Sequence, residues 1–143
     1  MNVGIRPATD NDIGAIRAID PSPQHPERPG WLAERVGAGR CLVAVIEGEV
    51  VGYVVLDHAF FLMGFVEMLR VAETHRRQGI ATALMTRVEA LCTTDRLFTS
   101  TNVSNAPMHA LLPRLGYAPC GTIDLDPGDA EIVYVKRLKD QAI

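Results

Sequence analysis

The fold is decided by residues 66–92, which read Val66-Glu67-Met68-Leu69-Arg70-Val71, then Ala72-Glu73-Thr74-His75, then Arg76-Arg77-Gln78-Gly79-Ile80-Ala81, and run on to Cys92. The opening run is a strand. From Ile80 onward apolar residues recur at Ile80, Ala81, Leu84, Met85, Val88, Leu91 and Cys92, with Thr82, Thr86, Arg87 and Glu89 between them. That spacing is the stripe of a helix with one buried face. Strand and helix are joined by a basic turn that contains a glycine.

A turn of this kind opens a helix with backbone N–H groups that have no intrahelical partner, at the positive end of the helix dipole. It suits a phosphate or pyrophosphate. Gly79 lets the backbone approach an anion, Ala81 keeps the first helical turn open, and Arg76 and Arg77 add positive charge. An ordinary solvated loop is the other reading that these residues alone leave open.

With 143 residues and 48% hydrophobic content, the chain is long enough for one domain with a core and too short for two, so residues 1–143 are read as a single domain. A net charge of −3 and a pI near 5.8 supply no basic field, and no nucleic-acid partner is expected. The three cysteines (Cys41, Cys92, Cys120) and four histidines (His25, His58, His75, His109) lack metal-ligand spacing. Reduced, mostly packed thiols and no metal are expected. The N-terminus lacks the apolar region of a signal peptide, and no apolar run approaches the ~20 residues of a membrane span. No membrane partner and a cytoplasmic location follow as expectations.

Around the central stretch the chain reads as follows. Val3 to Arg6 is a strand ended by Pro7, and Thr9-Asp10-Asn11-Asp12 has the form of a helix N-cap before Ile13, Ile16 and Ile19. Asp20 to Gly30 carries Pro21, Pro23, Pro26 and Pro29 and is expected to wrap over the surface without regular structure. Trp31 to Val36 is a short second helix stopped by Gly37 and Gly39, with Trp31 a core anchor. Cys41 to Glu47 and Val50 to Leu56 form a hairpin around Glu-Gly-Glu.

His58 to Phe65 is expected to be an unusually apolar connection. It packs in a core or dimer contact, with Phe60, Phe61, Leu62 and Met63 covered by a partner chain or by the proline-rich loop, or it lines an apolar acceptor pocket. Past the central motif, Arg96 to Asn102 is a strand. Asn105 caps a helix with Met108, Leu111, Leu112 and Leu115 on its apolar face, kinked or shortened by Pro113 and ended at Gly116. Tyr117 to Ile123 and Glu131 to Leu138 are strands around the turn Asp126-Pro127-Gly128-Asp129. The order is β-α-α-β-β-β-α-β-α-β-β.

The spacing Arg-x-x-Gly-x-Ala at Arg76, Gly79 and Ala81, after a strand and before an amphipathic helix, resembles the acyl-CoA-binding motif of the GNAT superfamily of N-acyltransferases. A second stretch is similar to the family's Asn-x-x-Ala-x-x-Leu-Tyr-x-x-x-Gly-Phe. Asn105, Leu111 and Gly116 match, Tyr117 stands for the Phe, Met108 for the Ala and Leu112 for the Tyr. The opening Ile5-Arg6-Pro7-Ala8-Thr9 and closing Lys136-Arg137-Leu138 extend the likeness over nearly the whole chain.

The resemblance implies an α/β (α+β) GNAT fold, a central mixed, mostly antiparallel sheet flanked by helices. It also implies acetyl-CoA as co-substrate. The pyrophosphate is expected on the backbone of Arg77, Gln78, Gly79, Ile80, Ala81 and Thr82 with Arg76 beside it, the pantetheine arm along Leu69 to Val71, and Asn105 on the arm's other side. The implied reaction is direct acetyl transfer to a primary amine in a ternary complex. Glu67, an acid in the apolar run Val66-Glu67-Met68-Leu69, is the candidate base, and a solvent-facing or salt-bridged glutamate is the alternative. Asp57, Asp124, Asp126 and Asp129 are candidates to attract a cationic acceptor, which could be a small amine, an amino acid, an antibiotic or a protein N-terminus. A homodimer is a further expectation. Leu112 cannot act as the general acid assigned to the family's Tyr, so a CoA-binding sensor or interaction domain without catalysis is the second hypothesis.

Overall fold

The computed structural model describes residues 2–138. Among them the chain forms β1 (Gly4–Pro7), a 3-10 turn (Asp10–Asp12), α1 (Ile13–Ile19), α2 (Arg28–Gly37), β2 (Cys41–Ile46), β3 (Glu49–Phe60), β4 (Met63–Val71), a second 3-10 turn (Glu73–His75), α3 (Ile80–Leu91), β5 (Arg96–Asn102), α4 (Ala106–Arg114), β6 (Ala118–Ile123) and β7 (Glu131–Arg137). This is the expected α/β order. The seven strands follow one another in the sheet as β1-β2-β3-β4-β5-β7-β6. β4 and β5 pair parallel, as a helical crossover requires, while β1–β2, β2–β3, β5–β7 and β6–β7 are antiparallel. Two compact units share the chain, one made of the residues up to Leu56 with Met68–Ala90, the other of Asp57–Glu67 with the residues from Leu91 on.

In the first unit Ile16, Leu32 and Val36 from α1 and α2 pack with Cys41, Val43, Tyr53 and Val55 of the sheet. The entry to α1 is fixed by Asp12, which accepts the Thr9 N–H (2.8 Å) and a two-pronged contact from Arg6 (2.8 and 2.9 Å). Those Arg6 hydrogen bonds outweigh burial and draw the Asp12 carboxyl down to about 2. α2 begins at Arg28, earlier than Trp31, because Pro29 sits in its first turn, where a missing N–H breaks no helical bond. Trp31 is half-buried at the margin of the core, with the Arg28 and Arg35 guanidinium groups 5.7 and 5.4 Å from its ring.

The β2–β3 turn is Glu47-Gly48, both with positive φ, the backbone a two-residue hairpin needs. Along α3 the buried stripe is Ile80, Leu84, Met85 and Val88, whereas Leu91 turns out to water. The helix comes so close to the sheet at Gly52 that a Cβ there would lie 3.0 Å from the Arg70 carbonyl and 3.3 Å from Ile80 and Leu84.

In the second unit the expected connection His58 to Phe65 is mostly strand. β3 runs on to Phe60, β4 resumes at Met63, and the turn is only Phe61-Leu62, both with positive φ (51° and 64°) and both more than four-fifths exposed. Left-handed backbone at two bulky residues costs about 1–2 kcal/mol each. The apolar content of this segment is explained in part by Phe60, whose ring meets Phe65 and Phe98 at 4.8 and 5.2 Å. Cys41 and Cys92 are buried as expected, but Cys120 is exposed, because β6 is open to water along its whole length. Pro113 falls in the last turn of α4, which is short and ends at the next residue.

Gly64 donates its N–H to Thr94 Oγ1 (3.0 Å), and a Cβ at this position would overlap the Cys92 sulfur and approach Leu97 at 3.3 Å. Gly64→Ala is expected to lower stability by about 1–3 kcal/mol, as overpacking does. Cys92→Ala should return part of that loss when combined with it, because the clash is with that sulfur. Urea unfolding of the single and double variants measures both.

Candidate active site

The turn ahead of α3 lies in the first unit. Arg77 and Gly79 both have positive φ (64° and 78°), so the backbone doubles back before the helix starts. The first helical bond there is Ala83 N–H to Gly79 O (3.0 Å), and the amides of Ile80, Ala81 and Thr82 precede it. Arg76, Arg77, Gln78, Gly79 and Thr82 are exposed and Ala81 is half-buried. Ile80 is 1% exposed, so its side chain belongs to the core and only its backbone faces the turn. Space is open where a Gly79 Cβ would stand; left-handed backbone, not crowding, is what requires glycine. Amides at a helix start beside two arginines fit a pyrophosphate. Leu69 and Val71, half-buried at the end of β4, lie just upstream.

Asp20 begins the proline-rich segment expected to wrap over the surface, yet its carboxylate is buried. Asp20 is 4% exposed; its Oδ2 accepts from the Tyr53 hydroxyl (2.7 Å) and Arg28 (2.9 Å), and its Oδ1 from the Ser22 hydroxyl, with Arg70 at 3.4 Å. Burial alone would push this carboxyl up, yet the hydroxyls of Ser22 and Tyr53 with Arg70 and Arg28 hold it below its ordinary value. Burial and the Asp20 charge raise the Tyr53 phenol, which stays a proton donor. The network ties the α1–α2 segment to β3 and β4, and Arg70 then lines an open groove of about 880 Å³ with Asp12, Ile19, Pro21, Glu49 and Arg76.

A carboxyl depressed in the folded state stabilises above its unfolded pKa and loses that contribution as pH falls through the folded value. Asp20→Asn is therefore expected to cost about 2–3 kcal/mol at pH 7, less than a fully buried pair because Arg70 is partly in water. The difference from wild type should shrink at pH 3. Urea unfolding at the two pH values reads it.

Glu67 belongs to the second unit, half-buried in β4. Its neighbour Val66 pairs with Thr99 of β5, whose hydroxyl donates to the Val66 carbonyl (3.1 Å). Asn105 is the cap of α4, with its Oδ1 accepting the Met108 N–H (3.4 Å). Leu112 is fully buried. One turn before it His109 meets Tyr134 (Nδ1 to Oη 2.6 Å) and the Asn102 carbonyl (Nε2 to O 2.9 Å), a pair that sequence reading passed over because its members are 25 residues apart.

Of the candidate acids, Asp57 is not in a turn but buried in β3, where it accepts the Ala59 N–H. Asp129 binds Ser104 through backbone and hydroxyl, Asp126 is 3.3 Å from the Asn102 amide nitrogen, and Asp124 is exposed. Among the described residues no group of three or more His, Cys, Asp or Glu side chains is placed to hold a metal ion.

A sheet of this order with a basic helix-opening turn after β4 is the arrangement that the resemblance implied, and comparison with known families bears out the family. The model of the acetyltransferase (GNAT) family matches residues 11–117, and the chain belongs to that family. It is 30% identical over 139 residues to the L-amino acid N-acetyltransferase AaaT of Escherichia coli (strain K12), covering 82% of this chain and 84% of that relative. The structure of a GNAT-family acetyltransferase from Bacillus cereus ATCC 10987 superposes with a TM-score of 0.88 at 27% identity, covering 96% of this chain and 98% of that one. Ard1 from Thermoplasma volcanium shares the fold at 16% identity, with a TM-score of 0.86 over 98% of this chain and all of its own.

Proposed function

We propose that this acetyltransferase uses acetyl-CoA and transfers the acetyl group directly to a primary amine in a ternary complex. The observation that carries this reading is the turn at 76–82, where left-handed backbone at Arg77 and Gly79 sets the amides of Ile80 to Thr82 at a helix start beside two arginines. Bound acetyl-CoA supplies the acetyl group as an activated thioester. Arg76 and Arg77 add charge at the pyrophosphate, the backbone of Leu69 to Val71 holds the pantetheine arm as an added strand, and Asn105 orients it. The Glu67 carboxylate takes the proton that the amine nitrogen must lose.

Similarity to an L-amino acid N-acetyltransferase supports a free amino acid as the first acceptor to try. Leu112 favours the second reading, a CoA-binding domain without catalysis, because a buried leucine has no proton to give. Free-thiol release from acetyl-CoA with a panel of L-amino acids and other amines, set beside CoA binding alone, decides between them. Amine-dependent release supports the enzyme; tight CoA binding without release from any amine supports the second reading.

We also expect a homodimer that covers the exposed tip Phe61-Leu62, since a patch of this kind is rarely left to water. Sedimentation of wild type and Phe61→Ser should show a dimer that the substitution weakens. A wild-type monomer refutes it.

A further inference from the structure

Arg70 is the outward end of the buried network at Asp20. That carboxylate meets two guanidinium groups, Arg28 at 2.9 Å and Arg70 at 3.4 Å, while Ser22 and Tyr53 bring only neutral hydroxyls. One carboxylate against two guanidiniums leaves the cluster with a positive charge in excess. Arg28 meets Asp20 in a direct hydrogen bond and its side chain is 20% exposed, whereas that of Arg70 is 44% exposed and lines the open groove. Among the described residues Asp20 is the one charged partner of Arg70, in an ion pair longer than a hydrogen bond. The planar fork of N–H donors, which can receive a carboxylate in two-pronged fashion, remains available.

The other charges of the groove narrow the ligand. Asp12 is already taken by the two-pronged contact from Arg6, and Arg76 belongs to the turn proposed for the pyrophosphate. Arg70 is left on the rim with the exposed carboxylates of Glu49 and Glu73. A rim of one cation and two acids is complementary to a ligand that carries both a carboxylate and an ammonium group. Ala15, Ala18, Ile19 and Val50 add apolar wall against which a side chain can lie. Arg70 also stands between Leu69 and Val71, whose backbone is proposed to hold the pantetheine arm, with its side chain on the opposite face of the strand from theirs. Groove and arm segment belong to the same compact unit.

We propose, resting on the acetyl-transfer reading above, that this groove receives the acceptor and that Arg70 takes its carboxylate, which makes the acceptor a free amino acid. A protein N-terminus has its α-carboxyl tied up in a peptide bond, and an amine without a carboxyl has none to offer; either one leaves Arg70 unmatched and is a poor acceptor. Arg70 is the specificity-determining residue. Asp20 is a positioning residue that acts through it, because the ion pair restricts the guanidinium before the ligand arrives.

The test sets each L-amino acid beside its own amide, with wild type, Arg70→Gln and Arg70→Lys in the full chain. In wild type the amide should have a KM about 10-fold or more above that of the acid. Reactivity alone would favour the amide, whose amine is less basic and is neutral in larger part near pH 7. Arg70→Gln should raise the KM for the acid by the same factor, keep kcat and the KM for acetyl-CoA within about twofold of wild type, and no longer tell acid from amide. Arg70→Lys keeps the charge without the fork and should fall between the two. Equal KM for acids and amides in wild type, or a preference that survives in Arg70→Gln, would overturn the site and leave acetyl transfer standing. A lower melting temperature in Arg70→Gln with the acid-to-amide ratio unmoved would make Arg70 an anchor for Asp20 alone and also overturn it. Where Arg70→Gln does not fold, the wild-type ratio and Arg70→Lys decide in the same way. Calorimetric titration of the L-amino acids into CoA-bound protein reads the site without turnover: heat that Arg70→Gln abolishes, from a protein that acetylates no amine, would support the carboxylate site and remove the acetyl-transfer reading.

Discussion

Glu67→Gln should lower kcat by ~10² or more while acetyl-CoA affinity stays close to wild type. The substitution keeps size and hydrogen bonding and removes only proton acceptance. Its force comes from the position of Glu67, half-buried in β4 next to a carbonyl already held by Thr99. Raising the pH should partly rescue the variant, because more of the amine is then already neutral. A glutamate that only balances charge would give a different result: unchanged kcat, a loss confined to stability, and a pH profile that keeps its acid limb.

Gly79→Glu should weaken CoA binding by about 10²-fold or more, because it sets a carboxylate against the pyrophosphate proposed to sit at the start of α3. The same change forces a side chain into φ 78°, so Gly79→Ala is the needed control. The alanine variant should lose about 1 kcal/mol of stability from left-handed strain and keep most of its CoA affinity, since nothing stands within 4 Å of the added Cβ. Calorimetric titration with CoA separates charge from strain. Equal affinities in Gly79→Glu and wild type would remove the phosphate turn from the account.

Much of this fold was legible because its signals are local. The spacing Ile80, Leu84, Met85, Val88 predicts α3, the Glu47-Gly48 turn predicts its hairpin, and the bounds of β5 come directly from Arg96 to Asn102. Where the reading failed, a local rule met a competing one. Pro29 looked like a breaker and is a helix starter, so α2 begins early. Phe61-Leu62 carries none of the Asn or Gly that normally announces a two-residue turn, so β3 and β4 looked shorter than they are.

The site was only half legible, for a different reason. The basic turn at 76–82 is contiguous and shows as a motif, whereas Asp20 finds Tyr53 33 residues away and His109 finds Tyr134 25 residues away. Side chains that become neighbours only through the sheet leave no spacing to read. A proline-rich segment around Asp20 even argued for water, while folding buries the carboxylate and supplies two arginines and two hydroxyls to it.

The most direct test is free-thiol release from acetyl-CoA by wild-type protein, measured with and without each member of the amine panel. The account predicts release that depends on an added amine, leaves an acetylated amine in equal amount, and falls ~10² or more in Glu67→Gln. Thiol release that no amine accelerates, from a protein that binds CoA tightly, would contradict it.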